Sequence, residues 1–111
     1  MVKRVSDDLE RAFHAAMLEI YKNAKKDIRY NASRFLGMVS DQGGLKTAQT
    51  LLHATSVSDG YTKLWEHQRL DLSVEALILE ERWTSLFSAE ERAIATTRLK
   101  EYGYDPVPQP R

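Results

Sequence analysis

Leu9-Glu10-Arg11-Ala12-Phe13-His14-Ala15-Ala16-Met17-Leu18-Glu19-Ile20-Tyr21-Lys22-Asn23-Ala24-Lys25-Lys26-Asp27-Ile28 is the stretch that decides the fold class. Its apolar residues Leu9, Phe13, Ala16, Met17, Ile20, Ala24 and Ile28 recur at steps of three and four, which places them on one stripe of an α-helix. Ser6, Asp7 and Asp8 precede the run, where side-chain oxygens cap free N–H groups and negative charge suits the helix dipole. Lys22, Lys25, Lys26 and Arg29 load the far end with the opposite sign. A long amphipathic helix over residues 7–28 follows.

Outward from that helix the same signals repeat. Asn31 is the expected cap of a second helix carrying Phe35, Leu36, Met38 and Val39, and Gly43-Gly44 is its stop. A third segment presents Leu45, Ala48, Leu51 and Leu52. Ser58-Asp59-Gly60 opens a fourth around Tyr61, Leu64 and Trp65. A fifth, capped by Asp71 or Ser73, reads as apolar on two sides, Val74, Leu77 and Ile78 on one and Leu72, Ala76, Leu79 and Trp83 on the other. Such a helix is expected at the centre of a bundle. Ser88-Ala89-Glu90-Glu91 fits a capping box, and the helix behind it stops at Gly103. No segment alternates long enough for a strand. The expected fold is all-α, a compact single-domain bundle of five to six helices over residues 1–104, with a proline-rich, extended tail at 105–111.

Composition narrows the function. A chain of 111 residues without cysteine excludes a disulfide scaffold, thiolate metal ligands and a cysteine nucleophile. No apolar run is long enough to cross a bilayer, and Met1 to Asp8 lacks a signal-peptide core, so the expected setting is the cytoplasm, away from membranes. His14, His53 and His67 share no ligand spacing, so no metal site or cofactor is expected. Glu80-Glu81 and Glu90-Glu91 are adjacent pairs whose side chains diverge by about 100° on a helix, which suits solvated faces rather than paired acid–base chemistry. Gly43-Gly44 before Lys46-Thr47 lacks the leading glycine and strand of a phosphate loop. No catalytic constellation is expected.

Net charge is zero, with 16 basic and 16 acidic residues, yet it is unevenly placed: residues 1–50 carry nine basic and six acidic groups, so that half is +3 and the remainder −3. Lys22, Lys25, Lys26, Arg29 and Arg34, helped by Lys46, are candidate phosphate contacts, with Tyr21 and Tyr30 beside them as stacking partners. The competing explanation is that helix C-termini gather lysine and arginine for the dipole alone. A helix-turn-helix over Phe35–His53 fits poorly because Gly44 lengthens the turn. Trp83-Thr84-Ser85-Leu86-Phe87 links two helices with three large apolar residues, Trp83, Leu86 and Phe87. They form either a plug that closes the core or a surface for a partner.

Ser58-Asp59-Gly60-Tyr61-Thr62-Lys63-Leu64-Trp65, Arg69-Leu70-Asp71-Leu72-Ser73-Val74-Glu75 and Trp83-Thr84-Ser85-Leu86-Phe87-Ser88 resemble a small bacterial family of uncharacterised helical proteins. Tyr30-Asn31, Phe35-Leu36, Met38 and Gly43-Gly44 extend the resemblance. Members occur alone or as extensions of larger proteins, some with nuclease-like or defence-related neighbours. The resemblance implies a bacterial, cytoplasmic, accessory role and no known activity. It draws attention to Arg69, Asp71 and Glu75 as a structural corner in which the arginine pairs with either carboxylate.

The function expected from these readings is a non-enzymatic helical interaction or regulatory module that binds another protein, or its own copy through the first helix as a homodimer. The alternative is a nucleic-acid-binding module using the basic cluster at residues 22–34.

Overall fold

Helix α1 spans Val5–Asp27 and turns its predicted stripe inward. Phe13 and Met17 are completely buried and Ala24 nearly so, while Leu9, Ala16 and Ile20 pack partly against the same core. The computed structural model describes residues 5–105; the proline-rich segment expected beyond them lies outside the described residues. Because the stripe of α1 is covered by its own chain, it does not offer the self-association face expected of it.

The chain then forms α2 (Ser33–Gln42) and α3 (Gly44–His53), hinged on Gly43. Gly43 takes the left-handed φ of 91° and donates its N–H to the Val39 carbonyl, as a glycine stop should. Gly44 is needed for a different reason. A Cβ there would lie 2.7 Å from the Cα of His14, so only glycine lets α3 cross α1 this closely. The Gly44 N–H donates to Nδ1 of His14 at 2.9 Å and locks the crossing. The cap of α2 differs from expectation. Ala32 holds the cap position without a side-chain bond, and Asn31 instead accepts from the Tyr21 hydroxyl at 2.9 Å.

Helix α4 (Asp59–Glu66) is capped by Ser58, and a 3-10 turn at Leu70–Leu72 leads to α5 (Val74–Ile78), capped by Ser73 rather than Asp71. The fifth helix is therefore much shorter than its apolar pattern suggests, and a second 3-10 stretch, Glu81–Leu86, replaces its end. Geometry explains the break. In an unbroken helix Trp83 would sit about 180° around from Val74, whereas the bend lets both enter one core. Trp83 is 1% exposed and meets Phe13 edge-to-face at 5.2 Å; Phe87 does so at 5.3 Å.

Helix α6 (Ala89–Glu101) starts with the predicted capping box: Ser88 Oγ accepts from Glu91 N–H, and Glu91 Oε1 accepts from Ser88 N–H. A second cluster of Tyr61, Leu64, Leu70 and Leu99 joins α4 to α6. The molecule is an all-α single domain, with six α-helices among the described residues. None of its described helices is long and apolar enough to cross a membrane.

Candidate functional site

A cleft of about 370 Å³ opens where the end of α1 meets the beginnings of α2 and α4. Ile20 and Ala24 supply one wall, Phe35 and Met38 of α2 another, and Leu51 and Val57 close the far side. Glu75 borders it from below. That volume falls in the range of small-ligand and side-chain pockets, with the mostly apolar lining such pockets show.

The floor is held by one arginine. Arg98 Nη1 donates to Glu75 Oε2 at 2.9 Å, and its guanidinium also donates to the carbonyls of Leu51, Leu52 and Ala54. These carbonyls end α3, where the helix has no further N–H donors of its own to partner them. Arg98 is 13% exposed and Glu75 only 5%, so the pair sits in a poorly hydrated place. Burial pushes the Glu75 carboxyl above its usual range, and Arg98 opposes that shift without cancelling it. The Tyr61 hydroxyl donates to the Arg98 carbonyl at 3.2 Å, and burial together with the Glu75 charge raises its pKa strongly.

Electrostatics at the mouth are uneven. The first turns of α2, α4 and α5 all border the cleft. The acids Asp59 of α4 and, in the floor, Glu75 of α5 occupy such first turns, as the dipole favours, but α2 has no first-turn acid and no capping side chain. Arg34 adds a positive charge at that same edge, with no ion-pair partner among the described residues.

The predicted corner therefore resolves into two separate interactions. Arg69 pairs with Asp71 at 2.9 Å and reaches Asp27 of α1 at 3.4 Å. Glu75 does not join them; it turns inward to Arg98, a partner 23 residues away that no local sequence signal indicates. Trp83 and Phe87 are buried and Leu86 half-buried, so of the two alternatives for this link their side chains fit the plug that closes the core.

The six basic candidates do not form one surface. Lys22, Lys25 and Lys26 occupy the exposed side of α1, with Lys22 and Lys26 about 160° around from cleft-facing Ala24. Lys22 pairs with Glu19 at 3.5 Å, and Lys25 lies over the Tyr21 ring at 5.9 Å. Arg29 sits in the following turn with a left-handed φ of 56°, and Arg34 stands at the cleft. Lys46 follows Gly44 on His14, about three helical turns from Lys25. Within α3, Thr47 is fully buried, whereas Lys46, Thr50 and His53 are exposed. Among the described residues, no three His, Asp or Glu side chains are grouped to hold a metal ion. No known protein family, curated protein or solved structure matches this chain.

Proposed function

We propose that the protein is a non-enzymatic helical interaction module that receives an acidic, amphipathic segment of a partner protein in the cleft between α1, α2, α3 and α4. The observation that carries this reading is the pairing of open apolar walls with polar side chains already engaged within the fold. Ser58 accepts from Tyr61 N–H, Ser73 bonds Leu70 and Ala76, and Glu75 and Tyr61 are tied to Arg98. Such a lining rewards burial of apolar groups more than it activates a reacting atom. The uncapped start of α2 and Arg34 supply positive potential at one edge, which suits an acidic residue beside the partner's apolar anchors. A cytoplasmic, accessory role in a bacterial system accords with this reading.

A second reading has one specific support. Asp27, the acid inside the basic run of α1, is drawn to Arg69, which leaves Lys25 and Lys26 without a neutralising neighbour and open to phosphate.

Amide NMR with a synthetic amphipathic helix bearing Leu and Glu tests the first reading. Shifts should map to Ile20, Phe35, Met38 and Val57, vanish in Val57→Asp, and weaken when the Glu residues of the peptide become Lys. Absence of shifts in the cleft rejects it. A salt-sensitive mobility shift of labelled DNA or RNA, abolished by Lys25→Glu with Lys26→Glu, would establish the second reading instead.

A further inference from the structure

Tyr61 separates the cleft from a different surface, built on the exposed end of α4 and the chain after α6. Trp65 there is 45% exposed, the one large apolar side chain so placed among the described residues. Its ring meets Tyr102 at 82° with centroids 5.6 Å apart, and Tyr102 in turn meets Tyr61 at 80° and 5.1 Å. Two aromatic planes at nearly a right angle make two walls of a corner. Tyr104 and Leu70 line the same shallow groove, and Glu66 stands at its edge. The corner is fixed from behind: the Tyr104 N–H donates to the Leu99 carbonyl at 2.9 Å across Gly103, whose φ of 83° turns the chain back.

We propose that this corner binds a trimethylammonium cation, whether carried by a small choline-like molecule or by a methylated lysine. Aromatic faces attract a cation within about 6 Å of the ring centre, and quaternary ammonium groups are the cations that such walls recognise best. Carboxylates stand near the groove. Asp71 and Asp105 lie close enough to Tyr104 to add to the effect of burial in raising its hydroxyl pKa. The same site does not suit a primary ammonium or a guanidinium, because those need directional acceptors. Glu66 is engaged with Lys63 at 3.8 Å and Asp71 with Arg69 at 2.9 Å. A methylated cation has no N–H to satisfy, so it loses nothing by those engagements and is held by the π faces. The site is independent of the cleft, since Trp65 and Tyr102 take no part in the cleft lining.

The test follows the two indole N–H signals during titration with choline, with a peptide containing trimethyllysine, and with 3,3-dimethylbutan-1-ol, the uncharged carbon analogue of choline. The Trp65 signal, assigned by its absence in Trp65→Phe, should move while that of buried Trp83 stays. The alcohol should bind about tenfold more weakly than choline, the order a cation–π contribution sets. Trp65→Ala should abolish binding with an otherwise unchanged amide spectrum, and Trp65→Phe should keep part of it. A peptide much tighter than choline identifies a modified protein as the source; equal affinities identify a small molecule or headgroup. Failure of both cations to move the Trp65 signal, or equal binding of the alcohol, overturns the proposal.

Discussion

Gln68 occupies a position that glycine would fill more comfortably. It follows α4 with a left-handed φ of 59°, and Arg69 N–H donates to the Leu64 carbonyl at 2.7 Å across it. The end of α6 repeats the same closure with Gly103 in the equivalent place. A residue with a Cβ in this conformation costs on the order of 1 kcal/mol, partly offset by the greater freedom glycine has when unfolded. Gln68→Gly should therefore raise stability by about 0.5 kcal/mol, read as a higher urea midpoint at unchanged slope. The mirror substitution, Gly103→Gln, should lower the midpoint. A fall in the midpoint of Gln68→Gly would show that the glutamine side chain itself holds the turn.

Among the elements, α2 and α3 carry glycines with opposite roles. Gly37 lies in the exposed interior of α2, and a Cβ there would meet nothing within 4 Å. Gly37→Ala should gain up to about 1 kcal/mol through helix propensity. Gly44→Ala would press a methyl to 2.7 Å from the His14 backbone and 3.2 Å from Met17 Cγ. That contact forces the helices apart and should cost about 1–3 kcal/mol in the same denaturation assay. Elements defined by local chemistry were readable in the sequence: the stripe of α1, the Ser58, Ser73 and Ser88 caps, the glycine stops. The shortened α5 was not, because its break comes from where Trp83 must go rather than from any residue that forbids helix. The site was less legible still. Arg34 was recognisable as a basic residue but not as the edge of a cleft. Arg98 carries no local signal of its role, since its partners, the end of α3 and Glu75, are brought to it only by the tertiary fold. Trp65 read as a core residue because its spacing with Tyr61 and Leu64 does not reveal that its neighbours leave one side open.

For the whole molecule, Arg98 is the tie that joins α3, α5 and α6. Arg98→Met would leave the Glu75 charge buried without its partner and strand three carbonyls, and should cost about 3–5 kcal/mol. Glu75 also imposes a pH dependence whose sign is set by burial. Its folded-state pKa is raised, so the stability it contributes is fully present below the unfolded value of about 4.3 and is lost as pH rises through the folded value. Glu91 works in the other direction: the His53 and Ser88 bonds lower its pKa, and its contribution disappears as pH falls. Comparing wild type with Glu75→Gln by denaturation across pH isolates the first effect, since Glu91 is common to both. Wild type should gain on the variant as the solution is acidified, and a difference that is flat or of opposite slope contradicts the burial argument. The pairing of Phe13 with Trp83 and Phe87 has a consequence for the order of events during synthesis. The first helix emerges early, carrying a full apolar stripe, but the aromatic rings that cover its middle are made some seventy residues later. Until then α2 and α3 can cover only part of the stripe, and the nascent chain leaves the Phe13 region of its amphipathic helix open, the kind of segment that chaperones bind and that aggregates when translation stalls.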